Sequence, residues 1–290
     1  MPVPETNPAP VKMALEKLAI AAALIALPGM MSFATSAQAQ AQGLSARYSI
    51  DMIGFSVGSA HLSGVFGPDA YKIEARAKMS GLAKAITKAE GAAQSSGQVR
   101  SGRVLPAGYA TTSSNSKETR TVRMGMTAGN VRGVEISPPI PDRPGRIALK
   151  ANHKRNIIDP LSALVFTVAG DAPINGTTAC NRTLPVFDGY TRFDISLRYA
   201  GTRKVKVRGY SGTVFVYKAR YRPIAGHRAD RKATQFMADN KKMEIWLAPL
   251  GASRVLAPYK IAVNTMIGMV SIQAQSFQIS GSPATATVRR

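Results

Sequence analysis

The chain has 290 residues, 38 lysines and arginines against 16 aspartates and glutamates, a formal net charge of +22 and one cysteine. A single cysteine excludes an intramolecular disulfide, so the fold must rest on an apolar core. The cationic excess reads either as a basic, solvated face that keeps the protein soluble or as a surface for anionic partners, lipid or polymer. With no RNP-type aromatic motif and no basic recognition helix, nucleic acid is not expected among them.

Residues 1–39 read as a signal peptide. Lys12 and Lys17 precede the apolar run LAIAAALIAL, Pro28-Gly29 ends it, and Ala37-Gln38-Ala39 offers a small-x-small cleavage site. The apolar run is too short to span a bilayer comfortably. The expected mature chain, 40–290, is a single β-rich periplasmic domain with an ordered core over 46–279. No later stretch is apolar for long enough to cross a membrane as a helix, so the mature form is not expected to span one. Much of the charge is concentrated in one region. From Gly201 to Lys260, fourteen Lys and Arg stand against Asp230, Asp239 and Glu244, a net of +11.

Taken in chain order, most of the mature region alternates with a period of two, the mark of strands with one buried face. RYSIDM sets Tyr48, Ile50 and Met52 on one side, and AHLSGVF comes after Gly54 and Gly58. In AYKIEARAKM, Tyr71, Ile73, Ala75, Ala77 and Met79 oppose Lys72, Glu74, Arg76 and Lys78. GLAKAITKAEG breaks the rhythm, because Leu82, Ala85, Ile86 and Ala89 recur at helical spacing between Ser80 and Gly91. AQSSGQVRSG is polar and reads as a loop. TRTVRMGMT and GRIALKA read as strands, separated by the turn-rich connector SPPIPDRPG. DPLSALVFTV reads as a second short helix, with Asp159 as its cap and Pro160 in its first turn. In LPVFDGYTRFDISLRY, Phe193, Ile195, Leu197 and Tyr199 oppose Arg192, Asp194, Ser196 and Arg198, and Asp188-Gly189 marks a hairpin turn. The remaining strands are RKVKVRGY, GTVFVYKARYRPI, KMEIWLAPL, RVLAPYKIAVNT and GMVSIQAQSFQIS. Pro249 and Pro258 bracket GASRVLA as a turn, because proline disfavours central strand positions.

The chemistry is sparse. His61, His153 and His227 have no metal-ligand spacing and no accompanying carboxylate or cysteine cluster. No carboxylate pair, nucleophile elbow, phosphate loop or dinucleotide fingerprint appears. Ser162 lies near Asp159 with no histidine beside it in sequence, and is better explained as a hydroxyl of the helix cap. Cys180 reads as a buried, inert thiol or as one free to pair with another chain. Trp246 reads either as a core residue at a bend or as the lining of a groove mouth. No residue is assigned as catalytic, as cofactor-binding or as a metal ligand, and no cofactor is expected.

Several of these segments together resemble domain-of-unknown-function family 3108. They are RYSIDMIGFSVGSAHL, GLAKAI, IIDPLSALVF, LPVFDGYTRFDISLRY and MEIWLAPLGASRVLAPYKIAV. Their most specific pieces are Asp159-Pro160-Leu161-Ser162, Val186-Phe187-Asp188-Gly189 and Trp246-Leu247-Ala248-Pro249. The resemblance implies an exported bacterial protein with no established reaction. It implies an architecture similar to β-spiral envelope-integrity proteins and, more distantly, to half-barrels that carry lipoproteins. It further implies a second cysteine in the strand matching FVYKARY, paired with Cys180; this chain has none there, and Tyr217 lies in that region.

The expected fold is mainly β, a single highly curved antiparallel sheet (a β-spiral or incomplete barrel) with two short helices. A flat sheet with one apolar face would leave that face wet, so the sheet must curl around it. The expected role is non-enzymatic support of the cell envelope, through anionic lipid, lipopolysaccharide, cell wall or envelope proteins. A carrier of a hydrophobic ligand or lipoprotein, and an enzyme acting on envelope polymer, are the alternatives.

Overall fold

A computed structural model describes residues 41–81, 88–170, 172–251 and 253–281. The expected signal segment and residues 82–87 of the first expected helix lie outside them.

Fourteen strands form one sheet. They are β1 (Gln42–Met52), β2 (Phe55–Phe66), β3 (Ala70–Met79), β4 (Glu90–Arg100), β5 (Arg103–Ser114), β6 (Thr119–Thr127) and β7 (Asn130–Ser137). Next come β8 (Phe166–Thr167), β9 (Thr183–Phe187), β10 (Arg192–Val207), β11 (Tyr210–Ala225), β12 (Met243–Pro249), β13 (Val255–Thr265) and β14 (Gly268–Ser280). The order is β7-β6-β5-β4-β3-β2-β1-β14-β13-β12-β11-β10-β9, with β8 paired to β13. Every strand pair within this sheet is antiparallel. The first and last strands in sequence, β1 and β14, join its two arms in the middle.

The alternation read from sequence becomes an inner and an outer face. On the N-terminal arm the inner face carries Leu44, Ala46, Tyr48, Leu62, Tyr71, Ile73, Tyr109, Val122 and Met124, all buried. On the C-terminal arm both faces of the sheet are buried. Val214, Ala248, Leu250, Val255, Ala257 and Tyr259 join the first core, while Tyr217, Ile245, Leu247 and Leu256 join a second one with Phe166, Cys180 and Leu197. Neighbouring strand residues of β12 and β13 therefore serve opposite cores, which explains why MEIWLAPL and RVLAPYKIAV are apolar at successive positions.

The long β10–β11 hairpin makes this possible. A bulge between Tyr199 and Gly201 lets it bend, with Gly201 at φ +122. Its tip returns to β14, where the Phe277 amide donates to the Arg208 carbonyl at 2.9 Å. There Tyr210 stacks at 5.3 Å from Phe277 and 6.5 Å from Tyr259. Those aromatic contacts seal the first core from the far side.

The interior of the N-terminal arm is filled by the chain between β7 and β9. The Ile157 amide donates to Gly129, Thr167 Oγ1 donates to Gly102, and Ile158 bridges Val186 in parallel. Leu161 and Val165 from this crossing, and Phe187 at the end of β9, are buried in the first core.

Four sequence expectations are corrected here. DPLSALVFTV makes no multi-turn helix. Asp159 accepts the Leu161 and Ser162 amides at the entry to a single 3-10 turn, Ser162–Leu164, and the chain extends at once into β8, because pairing with β13 offers Phe166 and Thr167 ladder bonds. The described α-helices lie elsewhere, at α1 (Gly176–Cys180) and α2 (Lys232–Asp239). AQSSGQVRSG is strand β4 rather than loop. Its small polar residues hid it because its inner position, Ser95, meets a polar group instead of an apolar core. GRIALKA forms only an isolated bridge, Arg146 to Arg228. Finally, Pro258 sits within β13. The register shift opposite Trp246 and Leu247 removes the need for its missing amide, and its carbonyl accepts from Tyr48 Oη at 2.7 Å.

Candidate functional site

The interior holds one connected polar group. Ser95 projects inward from β4 and Tyr71 from β3, while Asp159 and Ser162 come from the crossing segment. Tyr71 Oη lies 2.7 Å from Ser162 Oγ, and Ser162 Oγ lies 2.7 Å from Ser95 Oγ. Ser95 Oγ reaches Asp159 Oδ2 at 2.9 Å, and Asp159 Oδ1 accepts the amides of Leu161 at 3.0 Å and Ser162 at 2.9 Å. Asp159 and Ser162 are fully buried. Burial pushes the Asp159 carboxyl above its ordinary value, against the hydrogen bonds from Ser162, Ser95 and Leu161, which lower it. Burial likewise raises the Tyr71 and Tyr109 phenols far above theirs. Each hydroxyl of this network is spent on another member, so the group locks the crossing segment to β3 and β4. It contains no imidazole, and its carboxylate is closed to solvent.

Beside it, the Asp188-Gly189 turn packs on β6. Asp188 Oδ1 accepts from the Tyr190 and Thr191 amides at 2.9 and 2.6 Å, as the hairpin reading requires. A cavity of about 320 Å³ lies between this turn and the inner face, lined by polar groups including Thr111, Glu118, Arg120 and Asp188. Burial raises the Asp188 carboxyl too, opposed by its hydrogen bonds to Thr191 and Tyr190.

The larger recesses lie on the outer face of the N-terminal arm. Ser96, Gly108, Gly125 and Gly133 stand in register across β4 to β7. With Ala110 they floor a groove of about 750 Å³ rimmed by Lys72, Gln94, Arg123 and Glu135. Side chains added at Gly125 or Gly133 would meet nothing within 4 Å, so these glycines keep the floor low rather than relieve a clash. A second recess of about 510 Å³ is rimmed by Arg47, His61, Arg76, Lys78 and Glu90 over Ala92. A twisted sheet is saddle-shaped, which makes even its outer face concave in one direction. Arg123 pairs with Glu135 at 3.6 Å and Lys72 with Glu74 at 2.8 Å, both exposed.

The residues singled out by sequence are dispersed. His61 contacts Ser45 Oγ at 3.2 Å, His153 Nδ1 accepts the Lys150 amide, and His227 lies by the Arg146–Arg228 bridge. Among the described residues no three His, Cys, Asp or Glu side chains cluster to hold a metal. Cys180 is buried in the second core, where burial raises its thiol above the ordinary value. Tyr217 packs in the same core, and its hydroxyl donates to the Gly176 carbonyl at 2.6 Å. Tyr217, in the FVYKARY strand, thus shares a core with Cys180 and fills it with an aromatic ring. Trp246 is half-buried against the first core, with Lys260 Nζ 4.9 Å from its ring centroid. Sequence reasoning missed Ser95, Tyr71 and the glycine row. The first two have no local motif, and the row exists only once strand register is known.

The sequence profile of the family described as "Protein of unknown function (DUF3108)" matches residues 47–275. The chain belongs to the DUF3108 family. That match takes in most of β1, all of the strands from β2 to β13 and most of β14. No curated protein matches this DUF3108 chain. Among solved structures it is similar to a beta-barrel-like protein of domain of unknown function DUF1849 from Brucella abortus. The identity is 8%, the match covers 84% of this chain and 99% of that one, and the TM-score is 0.43.

Proposed function

We propose that this DUF3108 protein is a non-enzymatic, periplasmic protein that supports the cell envelope by contact with its anionic components. The observation that carries the reading is the outer face of the N-terminal arm. There a low floor of Gly, Ala and Ser is rimmed by Lys72, Arg123, Arg47, Arg76 and Lys78, with fewer acids among them. A shallow basic saddle suits an extended polyanion or a phosphate-bearing surface more than a small molecule, which needs enclosure. Export rests on the N-terminal basic, apolar and small-residue order. The non-enzymatic reading is supported by the Tyr71–Ser162–Ser95–Asp159 network, whose polar atoms are engaged with one another.

A carrier of a hydrophobic ligand is less well supported. Leu161, Val165 and Phe187 occupy the interior that such a cargo would need, and the inner cavity beside the Asp188 turn is polar.

The test is retention of the mature protein on immobilised lipopolysaccharide. Retention should be strong at low salt and fall steeply as salt rises, because exposed charges are screened beyond about 10 Å at 0.1 M. Protein that flows through at low salt would reduce the basic face to a solubility device.

A further inference from the structure

Five of the seven large apolar side chains exposed among the described residues belong to two neighbouring hairpin tips. Ile53 and Phe55, at 62% and 75% exposure, cap the β1–β2 hairpin. Met266, Ile267 and Met269, at 56%, 68% and 41%, cap the β13–β14 hairpin. The tips adjoin because β1 pairs with β14. Met52 is opposite Val270, and the Ile53 amide donates to the Met269 carbonyl at 2.9 Å. Ile53 also lies against the second tip, since a Cβ on Gly268 would stand 2.6 Å from its Cγ1. The five side chains therefore sit on two adjacent tips at one end of the sheet, with Ile53 joining them.

The backbone gives an independent sign. Ile53 has φ +52 and is followed by Gly54 at φ +84, the pairing that a tight hairpin turn requires. Asparagine, aspartate or glycine is the ordinary occupant of that first position, and a β-branched side chain there is strained. The other non-glycine residues at positive φ among the described residues are Lys88, Ser101, Ala128 and Asn156. Only at this tip does a turn hold a β-branched residue in that conformation and leave it exposed.

Charge surrounds the patch on both sides. Exposed Lys78 and Lys88 flank the first tip, placed there by the Ser80 amide donating to Val57 and the Met79 amide to Ala89. Exposed Lys241 and Lys242 flank the second, where the Asn264 amide donates to Lys242 and Asn240 Nδ2 to Asn264. Asp51, Glu90 and Asp239 are the nearby acids, with Glu90 opposite Lys78, Asp51 accepting from Ser49 and exposed Asp239 just before Asn240.

We propose that these two tips are a docking element for an anionic lipid bilayer, inserting Phe55, Ile53 and Ile267 among the headgroups while the four lysines meet lipid phosphates. The inference rests on the envelope-contact reading and names one partner and one site for it. An apolar point ringed by cations is the arrangement that binds anionic membranes in preference to neutral ones, because burial and surface potential then act together.

The test compares wild type with the triple variant Ile53→Asn, Phe55→Ser, Ile267→Ser on vesicles of phosphatidylglycerol in phosphatidylcholine and on phosphatidylcholine alone. Wild type should partition onto the anionic vesicles, and the variant at least about tenfold less. The variant should melt no lower than wild type, since asparagine suits the turn, and should keep its retention on a soluble polyphosphate column. In a Trp246→Phe, Phe55→Trp variant, brominated acyl chains should quench the new tryptophan. Equal vesicle binding by wild type and triple variant overturns the tip proposal. So does self-association that the triple variant abolishes, which would make the patch a contact between copies. Retention on polyphosphate without vesicle binding overturns the tips and leaves the charge reading standing. Loss of both in wild type removes the envelope reading itself.

Discussion

At the scale of single residues, Asp159 carries the largest consequence. Its ordinary carboxyl value is 3.8, and burial raises it in the folded protein. Above 3.8 the native state then binds more protons than the unfolded chain, so this residue's contribution to stability falls as pH rises through that window. Acidifying from neutral pH toward about 4 should therefore increase the stability of wild type relative to Asp159→Asn, whose amide does not titrate. Urea midpoints of both proteins at several pH values measure this. A difference that does not change with pH would contradict it. The sequence shows Asp159 only as a cap, and the cap is real, since it accepts the Leu161 and Ser162 amides. Its partnership with Ser95, 64 residues earlier, is invisible in sequence because nothing local distinguishes Ser95 from its neighbours in a polar stretch.

At the scale of elements, two glycines in different strand environments behave oppositely. Gly226 comes just after β11 at φ +81, and a Cβ there would overlap the Tyr190 carbonyl oxygen. The close approach joins the end of β11 to the Asp188 turn, which in turn packs on β6. Gly226→Ala should cost at least about 3 kcal/mol, combining a left-handed backbone with an overpacked contact. Gly125→Ala, facing open space in β6, should stay within about 0.5 kcal/mol of wild type. Chemical denaturation of the two variants checks the pair, and similar midpoints would show that the approach at Gly226 is not constraining. Strand alternation made β1, β2, β3, β6 and β10 to β14 legible. Sequence alone reads β4 as a loop and misses β5 and β7, because their outer faces are rich in Ser, Thr, Gly and Ala, which carry little periodic signal. The expected helix after Asp159 failed for a different reason. Leu161, Leu164, Val165 and Val168 do recur at helical spacing, but β13 supplies ladder partners for Phe166 and Thr167 that no local propensity anticipates.

At the scale of the whole molecule, the two cores share β11, β12 and β13 as a common wall. Loss of either core exposes an apolar face of the same strands, so neither can melt alone. Denaturant unfolding followed by the emission of Trp246, the lone tryptophan, and by far-ultraviolet circular dichroism should give coincident transitions. Two separated transitions would mean that the arms are independent. Charge also acts at this scale, since the basic rim residues and the lysines around the tips come from segments distant in sequence and converge only through the sheet.

The amino-acid sequence by itself determined the class of the fold, because period-two alternation with one apolar side allows little except a sheet curled on that side. It also determined the Asp188-Gly189 turn, the absence of an intramolecular disulfide and the family. Only the tertiary structure decided what fills the curl, which strands are buried on both faces, and that the tips bearing Ile53 and Ile267 adjoin. The physical reason is range. Alternation and turn chemistry are set by neighbours a few residues apart, whereas register, crossing and the meeting of chain-distant hairpins are set by packing between strands such as β1 and β14, which lie at opposite ends of the sheet's sequence.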